Sequence, residues 1–390
     1  MNFELPGEYE ALRVSVQQLA KEHIKPRAQE VDRNETYPDD WFQLFVDNGL
    51  MGLVIPEEYG GSGAGILGLV VAIEEVAKYS NTAALMLLLT RLAAGPVLIA
   101  GTEDQKQKYV RAVATGEARA SFCLSEPQAG SDVMGIRTHA VADGSNWVIS
   151  GTKCWISGAE QANWYVVFAK TGEVESRDHH SVTGFIVERD WPGVSIGHVD
   201  EKLGVKGVAT TEVLLDSVKV PAENVIGEVG GFQLAMQGLN SMRPVVAARG
   251  LGVAESALMY VSEYLKSRKA FNKTLADMQG LQWKVAECAA KIEAARLLTY
   301  RAASLADEGK FTKEYIGHLS MSKYFATEMA VEVVNECLQM MGAAGYMKDH
   351  PIEMYYRDVR QLTIVEGTSQ VQLRLIADAV FDHNLWWGDW

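Results

Sequence analysis

With 390 residues, 48% of them hydrophobic and 22% charged, the chain is long enough to bury a large core and to hold two or three domains. Its 36 Lys and Arg against 50 Asp and Glu give a formal charge of −14, which argues against phosphate-backbone binding as the main task and makes nucleic acid an unfavourable partner. An anionic ligand remains compatible with that balance, because local basic residues and helix N-termini hold phosphates inside acidic proteins.

The N-terminus, MNFELPGEYEALRVSV, is acidic and has neither the apolar core of a signal peptide nor the Arg/Ser bias of a transit peptide. A cytoplasmic, bacterial-type setting is therefore expected, with a processed mitochondrial matrix form also compatible. No run of about 20 apolar residues is evident, so no membrane span is expected. From the start to about Glu117 the texture is helical, with apolar residues at three- and four-residue spacing in Tyr9 to Val31 and in Ile66 to Ser80. Between them IPEEYGGSGAG (55–65) lacks a Walker-type GK[ST] ending and reads as an inter-helix loop rather than a phosphate loop.

From about Ala118 to Gly230 the runs WVISG, KCWIS, WYVVFA, TGFIV and TEVLLDSVKV, separated by turn residues, predict an antiparallel sheet or barrel. After Arg243-Pro244 no proline occurs until Pro351, and the stretch is rich in Ala, Leu, Met, Glu and Lys. Breaks near Asn272, at Asp307-Glu308-Gly309 and at Gly342 to Gly345 predict antiparallel helices. The expected class is α+β: an N-terminal α-helical domain (1–117), a middle antiparallel β-barrel or sandwich (118–230) and a C-terminal four-helix bundle (231–390). There is no alternating βαβ pattern, and Gly250-Leu251-Gly252 lies in a helical stretch, so a dinucleotide-binding sheet is disfavoured.

Three segments carry chemistry. LSEPQAGSD (124–132) offers backbone donors, the hydroxyls of Ser125 and Ser131, and Gly130 for close backbone approach; alone, it reads equally well as an ordinary turn. KCWISGA (153–159) puts Trp155 on a predicted strand, where a core tryptophan is the simpler reading. RQLTIVEGTSQVQ (360–372) places Glu366 in an apolar run before a glycine turn, either as a partly desolvated acid/base or as a salt-bridged structural residue. The four cysteines, Cys123, Cys154, Cys288 and Cys337, form no CxxC pair, so neither a zinc site nor a disulfide framework is signalled. Asp178-His179-His180 is too closely spaced for a closed zinc site and is expected in an exposed loop; no metal is expected.

Taken together and in this order, the segments resemble the acyl-CoA dehydrogenase family over nearly the whole chain. The resemblance implies FAD as cofactor. It assigns flavin contacts to Leu124, Ser125, Gly130 and Ser131 in LSEPQAGSDVMGIRTHA and to Cys123 just before it, and to Trp155, Ile156 and Ser157 against the isoalloxazine ring. SRKAFNKTLADMQGLQWKVAE implies that Arg268, Phe271 and Gln279 bind the FAD of a neighbouring subunit. LQMMGAAGY implies that Gln339, Met340 and Gly342 meet its adenosine part, and VEGTSQ that Thr368 and Gln370 touch the flavin. Glu366 maps onto the base that removes the substrate α-proton while the β-hydride leaves for the flavin.

Ser131, Asn240, Arg243 and Gly367 map onto substrate contacts, and Leu88 and Leu92, with Met86, onto the acyl lining. The same resemblance implies a homotetramer built as a dimer of dimers and an electron-transferring flavoprotein as acceptor. The chain departs from the family pattern at Asn272 and Ala343, where glycine is usual, at Val365, where an aromatic residue is common, and at Asn240, where aspartate is usual. Met242 occupies the position at which some members carry the base, and it cannot take a proton. Arg91, three residues after Leu88, meets a polar or anionic acyl terminus if it faces the same way; otherwise it is a surface or CoA-contacting arginine. An acyl-CoA oxidase or flavin monooxygenase on the same scaffold, and a non-catalytic helical binding protein, are the competing readings. The tail DHNLWWGDW, with three of the nine tryptophans, is expected to pack at a subunit surface.

Overall fold

The structure, a computed structural model, describes residues 4–382 and Leu385, without the side chains of Thr90, Leu234 and Ala235. The tail beyond Asp382 otherwise lies outside the described residues, and with it the expectation for its tryptophans. The first third is helical: α1 (Gly7–Leu19), α2 (Ala28–Asn34), α3 (Asp39–Asp47), α4 (Gly65–Ala77), α5 (Asn81–Ala100), α6 (Glu103–Gln105) and α7 (Arg111–Ala114). The segment 55–65 is a loop around a single 3-10 turn, Glu57–Tyr59. Helix α4 is apolar on nearly every side and buried along its length, as a helix packed on several neighbours must be. Its first turn is capped from far away: the Asp307 carboxylate accepts from the N–H groups of Ile66 (2.5 Å) and Leu67 (3.0 Å).

Helix α5 corrects the expectation that no run is long and apolar enough to cross a membrane. Asn81–Ala100 passes that test with a mean hydropathy of 2.0, and so does Met236–Ser267 with 1.2, by length and composition alone. About 71% and 67% of the respective windows are buried inside the protein, so these are the central core helices of the fold. Arg91 and Pro96 interrupt the run in α5 and hide its length from inspection.

The middle of the chain forms one sheet from β1 (Ala120–Cys123), β2 (His139–Asp143), β3 (Asn146–Ser157), β4 (Trp164–Lys170), β5 (Val182–Glu188), β6 (Val194–Val199) and β7 (Thr210–Pro221). The order is β1-β4-β2-β3-β7-β6, with β5 paired to β4. Most pairs are antiparallel, as expected, but β1 runs parallel to β4 and β2 meets β4 in parallel at His139 and Lys170. The ladder between β3 and β7 slips between Lys153 and Ile156, a bulge that turns the strand at Trp155. A buried ion pair fixes the entrance of the sheet. Lys153 Nζ lies 2.6 Å from Glu126, whose carboxylate also accepts from the N–H groups of Arg137 (2.6 Å) and Thr138 (3.0 Å).

The last third contains α8 (Phe232–Ser267), a small β8–β9 hairpin (Lys269–Ala270 and Lys273–Thr274), α9 (Gln279–Asp307), α10 (Ile316–Met341), α11 (Ala343–Tyr346), α12 (Ile352–Leu362) and α13 (Ser369–Phe381). Helix α8 starts 12 residues before Pro244 and carries that proline inside it, so the proline does not mark the start of the bundle. The glycines at 250 and 252 serve packing. A Cβ on Gly252 would run into the carbonyl of Glu74, so glycine lets α8 lie directly against α4. One apolar core runs continuously through α1–α5, α8–α10 and α12.

The Glu126–Lys153 pair yields a stability test. Burial alone would raise the Glu126 pKa, but Lys153 and the hydrogen bonds around the carboxylate hold it below the ordinary value. Its stabilising contribution is therefore present above the ordinary carboxylate range and lost as the pH falls through the lowered pKa. Glu126→Ala, which leaves Lys153 buried and unpaired, is expected to lower the free energy of unfolding by about 3–5 kcal/mol. Urea denaturation at neutral pH measures the loss.

Candidate active site

Glu366 lies in the turn between α12 and α13. Its φ is +52° and that of Gly367 is +86°. Glycine adopts the left-handed region freely, whereas a glutamate there is held against its own preference, at roughly 1–2 kcal/mol. Surrounding groups hold the turn. Ser369 N–H donates to Thr363 O (2.9 Å), and Thr368 caps α13 by accepting from Val371 N–H (3.3 Å). The buried Gln372 amide donates to Gly367 O (3.0 Å) and Glu366 O (3.3 Å). From α10, Lys323 Nζ donates to Gly367 O (2.8 Å), and Glu328 accepts from the Ser369 hydroxyl.

The carboxylate is partly buried, and Glu366 Oε2 is closed to solvent with no hydrogen-bond partner among the described residues. Desolvation pushes its pKa up to about 7, against the opposing pull of Arg249, Lys323 and Arg243. All three cations are buried. Arg249 donates to Asn81 Oδ1 (2.8 Å) and Gln361 Oε1 (2.9 Å), while Arg243 bonds the Ser320 hydroxyl. Burial brings both guanidinium groups down to about 10, and Lys323 down to about 8. Behind Arg249, Asp358 is buried, accepts from Val205 N–H (2.6 Å), and is pushed up to about 7 by desolvation. The arrangement is a carboxylate titrating near neutrality, with one oxygen unsatisfied, inside a predominantly cationic shell.

The residues expected around a flavin fall into groups. The first two motifs lie together: Cys154 N–H donates to Ser125 O (3.0 Å), Lys153 Nζ to Leu124 O (3.1 Å), and Ser121 Oγ to Ser157 O (3.0 Å). Cys123 and Ile156 are buried within this layer, whereas Gly130 and Ser131 are exposed. Trp155 is not a core residue. At the β3 bulge it adopts φ +56° and its side chain is 56% exposed. Arg268 and Phe271 lie on the exposed α8–α9 connection and Gln279 opens α9, with Phe271 90% exposed. Among the described residues they make no hydrogen bond or ion pair with β3 or the Glu366 turn. Phe271 and Asn272 are both left-handed, at φ +52° and +61°; asparagine tolerates that conformation where glycine is usual. At the end of α10, Gln339 and Gly342 are exposed and Met340 is buried. Thr368 is partly buried and Gln370 exposed.

On the substrate side, Met86 and Leu88 are buried and Leu92 partly so. Asn240 is buried, and its Oδ1 has no partner among the described residues. Met242 is fully buried in the core. The Asn81–Arg249 bond and the close approach of Gly95 to Gly238 set α5 antiparallel to α8. That register brings Arg91 level with Asn240 to Met242, beyond Arg243 from Arg249. Arg91 is no surface residue: its guanidinium lies over Gly95, and among the described residues Nε and Nη1 are buried without a partner. Burial brings it down to about 10.

Comparison with known proteins decides what this arrangement belongs to. The sequence models of the N-terminal, middle and C-terminal domains of acyl-CoA dehydrogenase match residues 6–117, 121–218 and 230–381. The chain belongs to the acyl-CoA dehydrogenase family. It is 39% identical over 384 residues to an acryloyl-CoA reductase (NADH) of Anaerotignum propionicum, covering 97% of this chain and 96% of that protein. It superposes with a TM-score of 0.94 on butyryl-CoA dehydrogenase from Megasphaera elsdenii, at 34% identity over 98% of this chain and 100% of that one. A chain in a structure of the electron transferring flavoprotein of Acidaminococcus fermentans gives the same score at 36% identity, over 97% and 99% of the two chains.

This acyl-CoA dehydrogenase is thus an FAD-dependent oxidoreductase. Its own residues fit that cofactor: an aromatic face stands open at Trp155, and Gly130 and Gly342 have free space where a Cβ would project. Of the three cations around Glu366, only Arg243 stood out in the sequence. Arg249 in VVAARGLGVA and Lys323 in LSMSKYFA are single charges in mostly uncharged helical runs, the signal that could have marked them as buried. Asp178 and His179 and His180 bring ligand-capable atoms within 4.8 Å of one another on a short turn, where His179 also contacts Gln233 (2.7 Å).

Proposed function

We propose that this acyl-CoA dehydrogenase carries out α,β-dehydrogenation of an acyl-CoA thioester to the trans-2-enoyl-CoA, with Glu366 as the base. The observation that carries this reading is the unsatisfied Oε2 on a strained turn, on a carboxylate poised near pH 7. A thioester α-proton is weakly acidic, so its removal calls for a base whose pKa lies near the working pH and for positive charge close by to offset the developing enolate. Arg243, Arg249 and Lys323 supply that positive field. FAD, when bound, supplies the acceptor for the β-hydride. The protein aligns the thioester, with the N–H of Glu366 available to the carbonyl, and keeps water from Oε2.

The same residues serve the reaction in either direction, and the reductase among the relatives is named for the reverse sense. The electron partner sets the direction. An electron-transferring flavoprotein as acceptor is supported by the likeness to a chain solved with such a protein. A homotetramer built as a dimer of dimers accounts for Phe271, which stands almost fully exposed beside Arg268 and Gln279 and would be covered by a neighbouring subunit's FAD.

Glu366→Gln is expected to keep its FAD, read as flavin absorbance, and to lose dehydrogenation by about 10²–10⁴-fold or more. In the wild type, kcat/KM is expected to fall on the acid side as Glu366 becomes protonated through about pH 7. Unchanged turnover in Glu366→Gln would exclude it as the base. For Arg91, which lies level with Asn240, a position that maps onto a substrate contact, we take the CoA-contacting reading. Arg91→Ala is expected to raise KM for butyryl-CoA and glutaryl-CoA by the same factor, on the order of ten, as for a lost charge-assisted contact. A loss confined to glutaryl-CoA would instead place Arg91 at the acyl terminus.

A further inference from the structure

Lys323 is fully buried on α10, and its Nζ donates to Gly367 O at 2.8 Å. A buried ammonium is costly unless its charge is matched, and a backbone carbonyl satisfies one of three donors without neutralising it. The charged groups acting on Glu366 come from two helices, Arg243 and Arg249 from α8 and Lys323 from α10; Glu328 on α10 acts in turn on Lys323, and Asp358 on α12 on Arg249. Arg243 is bonded to Ser320, and Arg249 to Asn81 and Gln361. Of the three cations, Lys323 is the one whose hydrogen bond enters the turn itself.

We infer that Lys323 is a positioning residue for the reaction: its ammonium pins the left-handed Glu366–Gly367 turn and favours the ionised carboxylate beside it. The inference rests on the reading of Glu366 as the base. The two effects come from one group, but they separate by substitution. Glutamine retains a donor for Gly367 O without the charge, methionine removes both, and arginine retains the charge.

The test uses the FAD-loaded enzyme and anaerobic single-turnover reduction of the flavin by the best substrate of a short acyl-CoA panel, expressed per bound flavin and followed across the acid limb. Removing a cation raises the pKa of the neighbouring carboxylate, so Lys323→Gln is expected to shift the acid limb upward by about one pH unit. Lys323→Met is expected to show the same shift and to lose up to about 10²-fold at the plateau through misplacement of the turn. Lys323→Arg is expected to leave the limb where the wild type has it. Should the Met variant fail to fold, the Gln and Arg variants still decide the matter. An acid limb unmoved in Lys323→Gln, with only a smaller flavin-loaded fraction, would overturn the inference and make Lys323 a packing residue. Glu366→Gln run in parallel separates the two claims: if it turns over, the base assignment fails, and if it is dead while the Lys323 variants keep the wild-type limb, only this inference fails.

Discussion

The site depends on one constraint: a glutamate held in a left-handed turn, with an unsatisfied oxygen, among three buried cations. Desolvation alone would leave Glu366 protonated at neutral pH, and the cations alone would leave it a weak, fully ionised acceptor. The two effects oppose each other, and the balance lies near pH 7. Small displacements of Arg249, Lys323 or Arg243 would shift that balance, so each is anchored: Arg249 by two neutral amides, Lys323 by the turn carbonyl, and Arg243 by a hydroxyl.

The rest of the fold keeps this arrangement in place. Helices α5 and α8 run antiparallel through the core and bring Asn81 to Arg249. Helix α4 lies against α8 where Gly252 leaves room for it, and the C-terminal end of α9 caps its first turn through Asp307. Helix α12 contributes Gln361 to Arg249 and, through Asp358, meets the loop at Val205 that follows the sheet's sixth strand. Helices α8 and α10 thus carry the cations, and the strained residue sits on the short connection between two other helices, α12 and α13.

The helical breaks near Asn272, Asp307 and Gly342 were legible because turn chemistry is local: φ is positive at Asn272, Gly309 and Gly342. Glu366 was visible as an acid in an apolar run, but its orphaned oxygen and its backbone strain are products of tertiary contacts. Taken as an isolated strand residue, without the resemblance that sets it at the flavin ring, Trp155 was misleading. On an alternating strand it reads as core, and the register slip that turns it outward is a property of the pairing with β7, which no single strand encodes. The parallel contacts of β4 with β1 and β2 are likewise invisible to alternation. Arg249 and Lys323 escaped notice because a lone charge in an apolar helix reads as a solvated face, whereas here burial is tolerated because both donate hydrogen bonds to acceptors more than forty positions away. Arg91 concealed the length of α5 for a related reason.

The most direct measurement of the central claim is exchange of the substrate α-proton. In deuterium oxide, with FAD bound and no electron acceptor, the wild-type enzyme should wash deuterium into Cα of an acyl-CoA, followed by NMR, at a rate that falls as the pH drops through about 7. Glu366→Gln with its FAD in place should show no enzyme-dependent exchange. Exchange at the wild-type rate in that variant would contradict the account.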